Sequence, residues 1–339
     1  MGTRLVKFAV AAAVAIVLIV AAAPGFFGIV RETPFAQLVS FRLATALAAV
    51  GVAVVLVVIA VLVRPIRRLA LAVGALGLAF ALVLAGLQVF RGYDSTPPRA
   101  HRLADLRVLS WNVLDTVPVE TIAAVAAENA VDALALVEVS PESAQGVADA
   151  LGAAGLPMTV HYAAGDEGIA GTALLLAASL GTYAVDAETV PTGTYASLVA
   201  RPDTPDRPVI AAVHAVPPIP GVMDDWSSDL SRLAALCSTE DDVVVLGDLN
   251  STVDHWSGIP GTAALGACSD SGTLANAAAV GTWPTSLPAV LGAPIDHVLF
   301  SGRWDVSGYT VLEDHDDAGS DHRPVLAQLS VRGMVKDAS

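Results

Sequence analysis

VVVLGDLNST, residues 243–252, decides how the second part of the chain is read. Val243 to Leu246 are four β-branched or leucine residues in a row, which predicts a strand buried on both faces, and Gly247 breaks it where the backbone must turn. Residues two apart in an extended segment share a face, so Asp248 and Asn250 are expected to point the same way. A carboxylate and an amide then stand at the carboxyl end of a buried strand, the edge where open α/β sheets keep their ligands.

Similar short apolar or alternating runs lie on either side. Leu106–Trp111, Ala133–Val137, Val209–Val213, His297–Phe300 and Val325–Leu329 read as strands. Between them Val119–Asn129, Pro141–Gly152 and Trp226–Cys237 carry the wider spacing of amphipathic helices. Strands and helices alternate, so residues 105–333 are expected to form one layered α/β domain with a sizeable core. Residues 92–104, with Ser95, Thr96, Pro97 and Pro98, read as a polar linker, and 334–339 as a tail.

Charge divides the chain sharply. Residues 1–100 hold 9 Lys/Arg against 2 Asp/Glu, net +7, whereas 101–339 hold 9 against 31, net −22, which together give the formal −15. Such asymmetry argues for two regions in different solvents. Phe8–Val30, Leu43–Val63 and Leu69–Phe90 are uncharged runs of 23, 21 and 22 residues, each near the ~20 that a helix needs to cross hydrocarbon. Three transmembrane helices follow, making this a multi-pass protein of a cell membrane. Arg4, Lys7 and Ala21-Ala22-Ala23 before Pro24 leave a second reading of the first run, a cleaved signal peptide.

Arg64, Arg67 and Arg68 crowd the link between the second and third runs, and Arg4 with Lys7 precedes the first. The positive-inside rule puts both segments in the cytoplasm and the α/β domain outside it, although Arg91, Arg99, Arg102 and Arg107 pull the other way. An extracytoplasmic location would let Cys237 and Cys268 pair; the alternative is two inert buried thiols. Two isolated thiols lack the spacing of a zinc site.

Most predicted strands end or begin at a polar residue of one chemical kind. Asn112, Glu138 and His214 follow the first three, Asp248 and Asn250 follow the fourth, Asp296 precedes the fifth, and Asp321 with His322 precedes the last. Oxygen donors of this sort suit a hard cation such as Mg²⁺, with Mn²⁺ or Ca²⁺ as substitutes, whose remaining positions are left to water and substrate phosphate.

WNV (111–113), the glutamate of LALVEVS (134–140), VHAVPP (213–218), GDLN (247–250), IDHVL (295–299) and SDHRP (320–324) resemble, in order, the motifs of the endonuclease/exonuclease/phosphatase superfamily, the deoxyribonuclease-I-like fold. GDLN or SDHRP alone is a weak signal; six in sequence over about residues 106–330 are a strong one. The resemblance extends to membrane-anchored bacterial members, in which TWP (282–284) before IDHVL also recurs. It implies a four-layer sandwich of two mixed β-sheets flanked by helices, with a divalent-metal site that hydrolyses phosphoesters.

Carried over by motif, Glu138 resembles the principal metal ligand, with Asn112 and Asp321 beside it. Asp248 and Asn250 resemble the pair that orients the attacking water and the phosphate. His322 resembles the histidine on the scissile phosphate, Asp296 the carboxylate that orients and charges it, and His214 the histidine that protonates the leaving oxygen.

Each residue also has a duller explanation. Asn112 could cap a turn, Glu138 could be a solvated strand end, and His214 a core histidine satisfied by backbone. By alternation His297 faces away from Asp296 and reads as structural, Asp254-His255 reads equally as cleft rim or not, and Glu313–Asp317 as a solvated acidic loop. One departure from the family is plain: GTALLL (171–176) runs into Ala177-Ala178-Ser179 with no basic residue to grip a phosphate backbone.

A domain of net −22 repels a polyanion, so duplex nucleic acid is a poor partner. A small phosphodiester or a lipid headgroup carries one or two charges, and tethering at the bilayer raises the local concentration of the latter. The leading expectation is therefore a membrane-anchored phosphoesterase of that specificity. Its rivals are a membrane-anchored extracellular nuclease and a non-catalytic metal- or partner-binding domain. No Ser/His/Asp nucleophile motif and no phosphate-cradling glycine loop is present.

Overall fold

The computed structural model describes residues 2–98, 105–165 and 170–332, so part of the expected linker, 99–104, and the tail, 334–339, lie outside the described residues. The chain forms two compact units, one up to Arg91 and one from Gly92.

The first unit contains α1 (Gly2–Ala22), α2 (Phe35–Ser40), α3 (Arg42–Leu62) and α4 (Arg67–Arg91). Three helical stretches, Arg4–Ala22, Arg42–Leu62 and Arg64–Arg91, are long and apolar enough to cross a membrane. The apolar run 8–30 is not one helix. α1 ends at Ala22, and Pro24, which has no N–H to continue it, opens a 3₁₀ turn over Pro24–Phe27 that closes at left-handed Gly28. Arg42 is buried and donates to the Ala22 carbonyl at 3.2 Å, satisfying an acceptor that the end of α1 leaves free. α3 and α4 approach through small residues, Gly74 lying against Ala53 and Gly77 against Ala49, the packing expected of apolar helices in lipid.

Among the described residues the second unit has twelve strands. They are β1 (Leu106–Asn112), β2 (Ala133–Val139), β3 (Met158–Ala163), β4 (Gly171–Ala177), β5 (Tyr183–Val185), β6 (Leu198–Pro202), β7 (Val209–His214), β8 (Val243–Asp248), β9 (Ser269–Asp270), β10 (Asp296–Phe300), β11 (Trp304–Val311) and β12 (Val325–Val331). Its helices are α5 (Val119–Glu128), α6 (Pro141–Ala153), α7 (Met223–Thr239) and the single turn α8 (Ser271–Leu274). One six-stranded sheet runs β11-β12-β1-β2-β4-β3 and the other β5-β6-β7-β8-β10-β9. Both are mixed: β1 is parallel to β2 and antiparallel to β12, and β8 is parallel to β7 and antiparallel to β10.

Strand alternation sorts the apolar residues into two layers. Leu106 and Val108 of β1, Ala133 and Ala135 of β2, and Val325, Ala327 and Leu329 of β12 join Ile210, Ala212, Val244, Leu246, Val298 and Phe300 in the core shared by the two sheets. The intervening Leu109, Trp111, Leu134, Leu136 and Leu326 pack instead with Ile122 and Val125 of α5 and with Val147 and Leu151 of α6. That is why these strands read as continuous apolar runs: each is buried on both faces.

Continued to the strand ends, the same alternation carries polar residues onto the face between the sheets. Asn112 continues Val108 and Ser110; His214 continues Ile210 and Ala212; Asp248 continues Val244 and Leu246; Asp296 continues Phe300 and Val298. In register, His214 is paired with Asp248 across β7 and β8, and Asp296 with Asp248 across β10 and β8.

Two further constraints hold this end. Gly247 has φ +150, and a Cβ there would meet the Val213 carbonyl oxygen at 1.9 Å. Only glycine lets β7 and β8 run that close beside the row of polar residues. Cys237 at the end of α7 is joined to Cys268, with sulfurs 2.07 Å apart.

Gly247→Ala is therefore expected to destabilise the domain by about 3 kcal/mol, the scale of overpacking with added backbone strain. Gly152→Ala, in α6 with open space around it, should cost nothing measurable. Thermal unfolding of the two variants checks the difference.

Candidate active site

The polar residues at the strand ends form one connected cluster. Asn112 donates from Nδ2 to Glu138 Oε1 at 2.9 Å and to Asp248 Oδ2 at 3.2 Å. His214 Nε2 lies 3.7 Å from Glu138 Oε1 and 4.0 Å from Asp248 Oδ2. His322 Nδ1 meets Asp296 Oδ2 at 2.9 Å, while its Nε2 is 3.7 Å from Asp248 Oδ2 and 3.9 Å from Asp321 Oδ1. All eight residues singled out in the sequence are thus linked, Asn250 through the bond from its backbone N–H to Asp248 Oδ1 at 2.8 Å.

Two of them arrive by routes that alternation does not provide. Glu138 should point toward α5 and α6, but the β2–β4 pairing slips between Val137 and Val139 and Glu138 takes φ +52, which turns it into the cluster. Asn250 lies beyond the end of β8, so the expectation that it shares an extended face with Asp248 is corrected: it sits in a left-handed turn at φ +45, with its Nδ2 on the Ala215 carbonyl at 2.9 Å.

His322 is placed from three sides. The Trp111 indole N–H donates to its carbonyl at 2.9 Å, Ser320 Oγ accepts its N–H at 3.0 Å, and Asp296 orients the ring. Asp296 is itself oriented by Thr282, whose Oγ1 accepts the Asp296 N–H at 3.1 Å.

Burial and charge set the protonation states. Burial opposes the charged form of His322, but Asp296 and Asp248 outweigh it and raise the imidazole to about 10. Burial, then the nearby Asp296 carboxylate, pushes Asp248 up from the usual carboxylate range. Burial, followed by the charge on His322, pushes His214 down to about 3, so it is neutral in the free protein rather than the charged acid that the family resemblance implies. With carboxylates facing Nε2, the proton of neutral His214 belongs there.

Outside the cluster, His297 points away and is held by Asp270 Oδ1 at 2.9 Å and the Ser251 carbonyl at 2.8 Å. His255 is buried, with Nδ1 accepting the Thr252 N–H at 2.8 Å, and does not line a cleft rim. The acidic run is not merely solvated: Asp316 pairs at 2.6 Å with Arg323, which is fully buried and also donates to the carbonyls of Gly281 and Leu287. The arginine of SDHRP is therefore committed to the 281–287 loop. No lysine or arginine touches any of the eight residues among those described.

Three side chains were not legible as site residues. Trp283 donates to Asp321 Oδ2 at 2.8 Å, the Tyr195 ring lies 4.5 Å from that of His214, and Ser197 Oγ accepts the His214 N–H at 2.8 Å. Trp283 carried a signal in TWP; Tyr195 and Ser197 lie in a segment without hydrophobic pattern.

The family model for the Endonuclease/Exonuclease/phosphatase family matches residues 109–322, which spans the whole cluster. The chain belongs to that family. A comparison with curated proteins gives no match. Among solved structures, the fold is similar to an endonuclease/exonuclease/phosphatase from Beutenbergia cavernae DSM 12333, at 20% identity and TM-score 0.52 over 67% of this chain and 72% of that one. It is similar also to a humanized D. rerio TDP2, at 15% identity and TM-score 0.52 over 67% and 100% of the chains. A D. rerio TDP2 complexed with single strand DNA product matches at 17% identity, TM-score 0.50 and the same coverage.

Members of the Endonuclease/Exonuclease/phosphatase family are metal-dependent hydrolases of phosphoester bonds. The donor set fits a divalent cation. Asp248, Asp296 and His322 offer atoms within 4.8 Å of one another, and the buried Asp296 Oδ1 has no hydrogen-bond partner. A protonated His322 has no lone pair to give, so carboxylate oxygens are the better donors.

In metal-free protein, NMR titration of the ring protons is expected to show His214 neutral down to about pH 3. His322 should stay charged to about pH 10. In Asp296→Asn the His322 transition should move down toward the ordinary ~6.5, because the carboxylate that favours the charged form is gone.

Proposed function

We propose that the domain is a divalent-metal-dependent phosphoesterase acting on a small phosphodiester or a lipid headgroup, held at the outer face of the membrane that its apolar helices span. The observation that carries this reading is the buried His322–Asp296 pair, 2.9 Å apart and set in one cluster with Glu138 and Asp248, to which no lysine or arginine is ion-paired among the described residues.

Glu138 would hold the cation, with Asn112 and Asp321 beside it; Mg²⁺ suits these oxygens, and Mn²⁺ or Ca²⁺ can replace it. Held there, a divalent ion would supply charge neutralisation for the phosphate and a lowered pKa for water. Asp248, a buried carboxylate whose proton affinity is raised, accepts the proton of the attacking water, and Asn250 steadies that carboxylate through its backbone N–H. His322 brings a fixed positive charge to a non-bridging phosphate oxygen, where charge accumulates during transfer. Neutral His214 donates its Nε2 proton as a hydrogen bond to the leaving oxygen.

The charge balance supports a small substrate. Arg201, Arg303, Arg323 and Arg332 are each paired with a carboxylate, so little positive charge is left to track a nucleic-acid backbone. The paired Cys237 and Cys268 support a location outside the cytoplasm. The similarity to a TDP2 complexed with single strand DNA product favours a second reading, a nuclease for single strands.

Purified full chain in detergent, tested on bis(p-nitrophenyl) phosphate, phospholipid vesicles and single-stranded DNA, separates the readings. Turnover of a small diester or lipid that requires Mg²⁺ and stops with EDTA is expected; absence of turnover on every substrate would leave a binding module. Turnover of DNA that falls steeply with added salt would favour the nuclease.

His322→Ala should lower kcat by roughly 100- to 10,000-fold, the range for a group acting in proton transfer or on developing charge, with Asp296→Asn close behind. Turnover by Asp296→Asn equal to the parent would remove the pair from the mechanism. The residual activity of Asp296→Asn should fall as pH rises above ~6.5, where its His322 loses the charge.

A further inference from the structure

The segment before β6 brings a tyrosine to the site that no motif of the family marks. Thr192 Oγ1 donates to the Tyr195 carbonyl at 2.9 Å and lies 2.6 Å from Ser197 Oγ, which accepts the His214 N–H. The loop is therefore fastened to the strand that carries His214. Its second fastening is Asp229 of α7, a carboxylate only 1% exposed. Oδ1 of Asp229 accepts the Gly193 N–H at 2.6 Å and Oδ2 accepts the Val216 N–H at 3.1 Å, tying the Tyr195 loop to the segment just after His214.

Held this way, the half-buried Tyr195 ring lies 4.5 Å from the His214 ring. A phenylalanine would make that contact equally well. The hydroxyl, however, makes no hydrogen bond to a described residue and is not among the buried unpaired polar atoms, so it stands open to solvent while the ring rests on His214. Burial, then the charges of Glu138 and Asp248, raise its pKa above the ordinary value, so it remains a donor at neutral pH. A neutral donor open beside the His214 ring, at a cluster to which no lysine or arginine is ion-paired among the described residues, is suited to a phosphate oxygen.

We infer that Tyr195 is a substrate-binding residue whose hydroxyl donates a hydrogen bond to the phosphate of the substrate, and that Asp229 is the positioning residue that holds it there. The inference rests on the phosphoesterase reading and deepens it: a tyrosine hydroxyl would supply a phosphate donor in a domain that has no basic residue directly after GTALLL. One neutral donor suffices for a diester of single charge and not for a polyanion, which makes Tyr195 a determinant of specificity for small diesters.

The test uses the full chain in detergent, with Mg²⁺, bis(p-nitrophenyl) phosphate as substrate and inorganic phosphate as competitive inhibitor. Tyr195→Phe keeps the ring on His214 and removes only the donor. It is expected to lower kcat/KM roughly 10- to 100-fold, the scale of a hydrogen bond to a charged group, and to weaken phosphate inhibition by a similar factor, with the melting temperature unchanged. Asp229→Asn, whose amide can accept only one of the two N–H groups, should produce the same kind of loss, and the double variant should be no worse than the poorer single variant.

A Tyr195→Phe protein that matches the parent in both measurements overturns the role of Tyr195. Full additivity of the two losses overturns the role of Asp229. A parent without metal-dependent turnover of any phosphoester sinks the phosphoesterase reading itself, and this inference falls with it.

Discussion

The register of three strands governs the site. β8 lies between β7 and β10, and His214, Asp248 and Asp296 fall side by side because each is two residues beyond an apolar side chain of the same inter-sheet core. The core and the site are therefore one layer, apolar along most of its length and ionic at one end. A slip of one residue in any of these pairings would turn a charged side chain toward the helices and an apolar one into the site. Gly247 protects the register, since the backbone of β7 occupies the space of the side chain it lacks.

Placing two carboxylates next to one another in a buried row has an electrostatic consequence. Asp248 and Asp296 raise the proton affinity of their surroundings, and the first group to benefit is His322, drawn in between them from the loop before β12. Burial, with the same positive charge, keeps His214 neutral, with a single ring proton. Two histidines within one cluster thus hold opposite charge states, which is how a site can offer a cation to one oxygen of a phosphate and a neutral donor to another. The remaining oxygen donors of the cluster, Glu138 with Asn112 and Asp321, are the kind that a hard cation would satisfy.

The domain commits several of its few arginines to internal pairs. Arg323 is spent inside the protein, where it pairs with Asp316 and holds the loop that bears Trp283, and Arg201 bridges Asp186 and Glu240. Around the cluster stand aromatic rings instead, Tyr195 on His214 and Trp283 on Asp321. An acidic domain, in a chain whose helices are apolar enough for a bilayer, agrees with a substrate of low charge.

The sequence by itself determined much of the layout. Uncharged runs near twenty residues long were visible as membrane-crossing candidates, and apolar runs of four to seven residues marked the buried central strands β1, β2, β7, β8, β10 and β12. The polar residue ending or opening each central strand was visible for the same reason: alternation and the end of an apolar run are local properties. The edge and shorter strands β3, β5, β6, β9 and β11 are half exposed, brief or mixed in composition, so they carry no clear pattern, and β4 was noticed only as a motif.

Tertiary structure alone decided the rest. Glu138 enters the site through a slip in pairing with β4, and Asn250 through a left-handed turn, neither of which side-chain periodicity can foretell. The charge states of His214 and His322 depended on burial and on which charged groups fold against them. The common reason is physical: periodicity reports which face of a strand is buried, whereas protonation and close approach depend on neighbours that are tens of residues away in the chain.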